Sequence, residues 1–135
     1  MNEKLDKQLV AAFPTLYQNR NKRYGATPCA MFGFECSDGW GPLLYEVSRG
    51  LEWLNGLGKG TVIAAQVKEK FGTLRFYVDI DTEDSVFREV SYALIDKAER
   101  KSSYTCEVCG KDGALRSGGW VRTLCNECEE SRRKV

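Results

Sequence analysis

Four cysteines near the end of the chain form two matched pairs. Two residues separate Cys106 from Cys109 and Cys125 from Cys128, and residues 110–124 lie between the pairs. This spacing is typical of structural zinc sites, because Zn²⁺ binds thiolates well and takes four ligands in a tetrahedron. We therefore predict that these four thiolates bind one structural Zn²⁺.

Two other uses of paired cysteines are less favoured. The chain opens with a charged, amphipathic segment rather than an apolar leader, so we expect no signal peptide and a reducing compartment, where disulfides are rare. A thioredoxin-like redox motif would need one C-x-x-C at the start of a helix after a strand, not two matched pairs.

The residues around the pairs indicate how such a site is built. Gly110 follows the first pair, as a tight metal-binding turn requires. Residues 114–116 and 120–124 are predicted strands, joined by a Ser-Gly-Gly turn at 117–119, and residues 129–134 can form a short helix with acids first and bases last. A turn, a hairpin and a helix with the second pair are typical of a treble-clef zinc finger. A zinc ribbon, with the second pair on another turn, stays open.

Length and composition set the frame for these cysteines. With 135 residues the chain suits one compact body and a small appendage, so we expect an α+β main body at 1–103 and a zinc-finger module at 104–135 that needs its metal to fold.

A formal net charge of +1 gives no global case for nucleic acid. The absence of histidine removes the commonest general base. No long apolar run indicates a membrane span.

Hydrophobic periodicity predicts the elements of the main body. Helices are expected at 3–12, 42–55 and 83–101, and a β-hairpin at 61–71 and 73–80. The predicted fold is therefore α+β, a hairpin-centred sheet packed by helices. The stripe of the second helix is Leu43, Leu44, Val47, Leu51 and Leu54, and that of the last is Val86, Val90, Leu94 and Ala98, with Phe87 and Ile95 beside them.

The hairpin register decides which side chains share a face. A two-residue turn at Phe71-Gly72 would place Val67 opposite Phe76 and Ala65 opposite Val78 on the core face. Phe-Gly is not a preferred hairpin pair, so a slip by one residue stays open.

The opposite face of this hairpin would carry basic and aromatic residues, with Lys70 among them. Such a patch can bind phosphates and stack on bases, although an ordinary solvated sheet face has the same pattern. The zinc module offers further cations and an aromatic. The candidate residues for binding a nucleic acid or a protein are Lys68, Arg75, Tyr77, Arg116, Trp120 and Arg122.

A second candidate site lies before the second helix. Glu35, Asp38 and Trp40 could line a pocket for a nucleotide, with Arg20 or Arg75 on its phosphates. Asp38 can equally make a turn or cap the next helix.

An enzyme is the third hypothesis. A nuclease or hydrolase could use Glu35, Asp38, Asp79 and Asp81 with Mg²⁺. The missing histidine and the saturated zinc shell count against it, so we predict no catalytic residue.

Two further features have plainer interpretations. Cys29 and Cys36 lack partners for a second metal shell and are predicted to be buried thiols. Arg20, Lys22 and Arg23 lie in a polar loop that could contact an anion or simply connect two elements.

Several motifs together resemble a known group of proteins. They are Asp38-Gly39-Trp40, the segments 67–77 and 106–110, and the run from Gly119 to Cys125. The chain resembles small uncharacterised proteins of bacteriophages and prophages that carry a C-terminal four-cysteine zinc finger. The resemblance implies a phage origin and the cytoplasm of a bacterial host, and no particular activity.

Small phage accessory proteins often act by binding. We therefore expect a zinc-stabilised accessory protein that binds a host protein or a nucleic acid, with no membrane partner. The alternatives are a protein that sequesters a nucleotide signal of host defence, and a metal-dependent hydrolase or nuclease.

Overall fold

Residues 1–21 and 27–134 are described by a computed structural model, and they form the predicted α+β structure. The predicted anion contact by Lys22 and Arg23 lies outside these residues. No helix in the described ranges is long and apolar enough to cross a membrane. The helices are α1 (Glu3–Ala12), α2 (Pro28–Phe32), α3 (Gly41–Asn55), α4 (Ser85–Ser102) and α5 (Asn126–Arg133), with short 3₁₀ helices at Gln18–Asn21 and Asp38–Trp40.

The described residues form two separate sheets. In the first, β1 (Phe34–Glu35) pairs in parallel with β2 (Thr61–Lys70), and β2 pairs antiparallel with β3 (Thr73–Asp81). The second is the antiparallel pair of β4 (Ala114–Arg116) and β5 (Arg122–Leu124). The larger sheet is therefore centred on the β2–β3 hairpin, as predicted.

Helix α3 supplies much of the core. Pro42 lies in its first turn, where a missing N–H costs nothing. The predicted stripe is confirmed, because its five residues are all buried. They are Leu43, Leu44, Val47, Leu51 and Leu54. They belong to one cluster with Val62, Val67 and Phe76 of the sheet, so α3 covers the inner face of the hairpin.

The turn of the hairpin has the predicted two residues. Lys70 pairs with Thr73, which leaves Phe71 and Gly72 between the strands. Their φ angles are 53° and 86°, and positive φ at both positions is the pattern of a type I′ turn, whose twist matches the strands. The register Val67 opposite Phe76 is confirmed.

A β-bulge changes the register farther from the turn. The pairing shifts between Ala64 and Gln66, so Ala64 lies opposite Val78, and the prediction of Ala65 there was wrong. The extra residue changes which positions of β2 point into the core. Even-numbered residues, Val62 and Ala64, are buried before the bulge, and the odd-numbered Val67 is buried after it. Both halves of β2 therefore face the same core.

Helix α4 lies against the free edge of β3. The side-chain oxygen of Ser102 accepts a 2.9 Å hydrogen bond from the backbone N–H of Leu74, and the carboxylate of Glu99 accepts one of 2.9 Å from Phe76. Burial raises the pKa of Glu99 above its usual value, against the hydrogen bond from Phe76. These side chains satisfy donors that an open strand edge would leave free.

The buried side of α4 differs from the prediction. Phe87, Ile95 and Ala98 are buried as expected, but Val86 is 62% and Val90 39% exposed. The helix is turned so that its polar residues reach β3, which moves these two valines toward solvent.

Candidate metal centre

The four paired cysteines come together at one point. Their sulfur atoms all lie within 4.8 Å of one another, and the sulfurs of Cys109 and Cys125 are 3.6 Å apart. In a tetrahedron with metal–sulfur bonds of about 2.3 Å, neighbouring sulfurs are about 3.8 Å apart. The four cysteines could therefore hold a metal ion.

Local structure explains how each pair is presented. The first pair lies on a turn in which Gly110 has φ of 82° and its N–H donates to the carbonyl of Cys106. The second pair opens α5: Cys125 is the N-cap, and its sulfur accepts from the N–H of Cys128 at 3.4 Å. The strands β4 and β5 lie between the pairs in sequence, and α5 begins three residues earlier than the sequence suggested.

The thiols respond unequally to their surroundings. Burial disfavours the thiolate of Cys106, but backbone N–H donors outweigh this and lower its pKa to about 6. Burial raises the pKa of Cys128 to about 12, and the neighbouring sulfurs add to the rise. Four thiolates repel one another at this distance, so a cation is needed to keep all of them ionised.

The first cysteine turn packs against the segment before α3. Glu107, between Cys106 and Cys109, is only 4% exposed. Its carbonyl accepts a 2.7 Å hydrogen bond from the N–H of Gly39, and its carboxylate accepts one of 3.0 Å from Ser37. A Cβ on Gly39 would lie 2.4 Å from the carbonyl oxygen of Cys106, so only glycine permits this approach.

Two predicted partner-binding cations are engaged within the chain. The guanidinium of Arg122 lies 3.3 Å from the carboxylate of Glu107 and donates to the hydroxyl of Ser37. Arg116 donates to the carbonyl of Leu124 and to the side chain of Asn126. Both arginines therefore stabilise the region around the cysteines.

The predicted pocket around Asp38 and Trp40 is not formed as expected. Trp40 is fully buried and its indole N–H donates to the carbonyl of Thr105, so its predicted role in contacting a ligand is corrected to a core contact. The Asp38 carboxylate accepts hydrogen bonds from the backbone and side chain of Asn2. Arg20 pairs with Asp6 at 2.8 Å.

The carboxylates of the hydrolase hypothesis do not form a metal site. Within the described ranges, the four cysteines are the only group of three or more potential ligands close enough to share an ion. Asp79 and Asp81 lie opposite Ile63 and Thr61, at the end of the hairpin away from its turn. The remaining cysteines, Cys29 and Cys36, are buried and form no disulfide. Burial raises their pKa values to about 11 and about 12, respectively.

The face of the large sheet that points away from the core carries the predicted basic and aromatic residues, and we call it the open face. Lys68 lies opposite Arg75, and Gln66 lies opposite Tyr77, which is 46% exposed. In the described part of the chain, Lys68, Lys70 and Arg75 form no ion pair with a carboxylate. The structure thus brings together the predicted basic and aromatic residues of the sheet.

A cleft of about 530 Å³ lies between the end of β1 and the cysteine region. Trp120 lines it and is 73% exposed, with its indole N–H donating to the carboxylate of Glu69 at 3.3 Å. Four of its polar lining residues, Ser37, Glu69, Glu107 and Arg132, were not predicted from the sequence, since no spacing links positions so far apart. We call it the seam cleft; its polar lining includes Glu35, Ser37, Glu69, Trp120, Arg122 and Arg132.

Comparison of the chain with protein-family models, with curated proteins and with solved structures gave no match. The resemblance to phage proteins therefore stays a prediction.

Proposed function

We propose that the chain is a zinc-stabilised binding protein whose C-terminal module is a treble-clef finger. Four sulfur donors at tetrahedral spacing favour Zn²⁺ over cations that prefer oxygen ligands. The order of turn, hairpin and helix, with the second pair at the helix start, supports a treble clef over a ribbon. A shell of four thiolates leaves no open position for catalysis, so the zinc is structural.

The proposed partner is a single-stranded nucleic acid that lies on the open face. The observation that carries this proposal is a row of three cations, Lys68, Lys70 and Arg75, that form no ion pair within the described residues and lie next to the half-exposed ring of Tyr77. Cations bind the backbone phosphates, and each stacked base contributes about 1–3 kcal/mol. Phe71 at the turn is 71% exposed and adds a second ring.

Positive and negative charges lie at opposite ends of the open face. The cations lie toward the turn of the hairpin, whereas Asp79 and Asp81 lie at its other end. A polyanion is therefore attracted to one half of the face and repelled from the other. This local separation of charge explains how a chain with a net charge of only +1 can bind a nucleic acid.

A host protein is the alternative partner. The composition of the open face argues against it, because lysine is depleted from protein–protein interfaces and two of the three cations are lysines. Phage accessory proteins can use either partner, so the experiment must separate them.

Fluorescence polarisation with a labelled single strand tests the proposal. We expect binding at low salt that weakens as salt rises, with a slope of about 0.7 per phosphate contact on logarithmic axes. Lys68→Ala should weaken binding and reduce that slope by about 0.7. Lys59→Ala removes the same charge from the loop before β2, away from the turn, and should leave binding unchanged.

No polarisation change with any single strand at low salt would overturn the nucleic-acid proposal. Equal losses in the Lys68 and Lys59 variants would overturn the assignment to the open face. A host protein captured by the wild type and lost with Lys68→Ala would favour the alternative.

A further inference from the structure

We propose that the seam cleft binds one guanine base, stacked on Trp120 and read by the carboxylate of Glu35. This inference rests on the proposed binding of a single strand to the open face. The cleft has about 530 Å³, which lies within the range of small-molecule sites.

Trp120 provides a platform that is already in position. Its ring is 73% exposed, yet its indole N–H is tied to Glu69 at 3.3 Å. The carbonyl of the same residue accepts a 2.7 Å hydrogen bond from Arg132. A large exposed ring that is held at both ends can stack on a base with little loss of conformational entropy.

Glu35 provides the selectivity. Glu35 is one of the residues that line the cleft, and one oxygen of its carboxylate accepts only a long hydrogen bond of 3.4 Å from Gln66. The pairing edge of guanine carries two adjacent N–H donors, which match the two acceptor oxygens of an ionised carboxylate. Adenine and the pyrimidines lack this pair of donors, so they would leave Glu35 incompletely satisfied.

Two arginines line the same cleft. The side chains of Arg122 and Arg132 are 25% and 23% exposed, although each already pairs with a glutamate, Glu107 and Glu129 respectively. Each guanidinium has five N–H donors in total, so donors remain for the acceptor atoms of guanine, which arginine commonly recognises. The cleft therefore offers acceptors for the donors of guanine and donors for its acceptors.

Glu35 links the cleft to the open face. Glu35 lies in register with Lys68 on the neighbouring strand, and it also lines the cleft. A strand whose phosphates follow Lys68 and Arg75 thus reaches the cleft at the position of Glu35. The open face would supply affinity, and the cleft would select one base.

The test compares two labelled single strands that differ only in one central guanine, which is adenine in the second. We expect the guanine strand to bind about tenfold more tightly, within the range for one well-placed bidentate contact. Glu35→Gln replaces one acceptor with a donor and should remove the difference between the strands. Trp120→Ala should remove it as well.

The control is Trp53→Ala, because Trp53 is 66% exposed on α3 and does not line the cleft. It should keep the preference. Zinc content and circular dichroism identify variants that fail to fold, and Glu35→Gln, at an exposed position, is the variant on which the conclusion depends.

The outcomes separate the two proposals. Equal binding of both strands, or an unchanged preference in Glu35→Gln, overturns the guanine inference and leaves the open face intact. If neither strand binds, the proposed function fails, and free GMP then tests the cleft alone against AMP, CMP and UMP. Quenching of Trp120 fluorescence by GMP in a Trp53→Phe background would support the cleft, and equal or absent quenching by all four would overturn it.

Discussion

The hydroxyl of Thr123 donates a 2.7 Å hydrogen bond to the carbonyl of Gly72, and both groups are buried. Thr123 precedes the second cysteine pair by two residues, and Gly72 forms the turn of the β2–β3 hairpin. A Cβ on Gly72 would lie 2.4 Å from Leu115, so the two hairpins are in close contact. The region of the four cysteines and the large sheet are thus joined at the turn.

Removal of this hydrogen bond should destabilise the protein. Thr123→Val keeps the shape of the side chain but leaves the Gly72 carbonyl buried without its donor, and we expect a loss of about 1–3 kcal/mol in the free energy of unfolding. Urea denaturation measures it. Thr73→Val is the control, because its hydroxyl makes an exposed 3.3 Å bond to Lys70. A loss of the same size in both would contradict the special role of Thr123.

Gly39 should tolerate no side chain. Gly39→Ala would bring a methyl group within 2.4 Å of the Cys106 carbonyl, and we expect a loss of at least about 1–3 kcal/mol as the cysteine turn moves away. Gly56→Ala, where the nearest contact is 3.4 Å, should change stability by less than about 0.5 kcal/mol. Thermal denaturation of the two variants, with zinc analysis, checks this. A stable Gly39→Ala variant with a full metal site would contradict the packing.

Metal removal should loosen the C-terminal region. We expect one zinc per chain by elemental analysis, and faster tryptic cleavage at Arg116 and Arg122 after chelation, because a region held by a structural metal loses order without it. Cys106→Ala should behave like the chelated protein. Cys29→Ala alters a buried thiol outside the site and should retain zinc. Unchanged protease resistance in Cys106→Ala would contradict a structural metal.

The partly buried carboxylate of Glu99 should make stability depend on pH. Burial raises its pKa above the usual 4.5, so the folded state favours the protonated form. Its contribution to stability is present below pH 4.5 and decreases as pH rises through the folded-state pKa. Glu99→Gln keeps an acceptor for Phe76 and does not titrate. The wild type should therefore lose stability relative to this variant as pH rises from about 4 to about 7. Parallel curves in denaturant titrations would contradict this.

Elements with strong local signals were predicted from the sequence. The spacing of Leu43 to Leu54 specifies α3, and the two-residue turn follows from the residues around Gly72. The bulge after Ala64 has no such signal, because an alanine at the next position suits either face. The burial predicted for the two exposed valines of α4 was wrong for a different reason. The helix is oriented by its polar contacts to β3, which hydrophobic spacing does not reveal.

The candidate site also has parts that local sequence patterns predict and parts that they do not. The cysteine spacing specifies which sulfurs meet, and strand alternation brings Lys68 and Arg75 to one face. Long-range contacts decide the rest. Arg122 looked free to bind a partner because its ion-pair partner Glu107 lies fifteen residues earlier, and nothing local in the sequence shows that Trp40 would be fully buried.

The contacts of Ser102 and Glu99 with β3 also limit how partners can attach. An extended peptide commonly binds by adding itself to a sheet as another strand, and the N–H groups of Leu74 and Phe76 would be its docking points here. Both are already bonded to α4, so strand addition at this edge would require the helix to detach. Neither a peptide nor a second copy of the chain can lengthen the sheet on this side at low cost, which protects the protein from polymerising edge to edge.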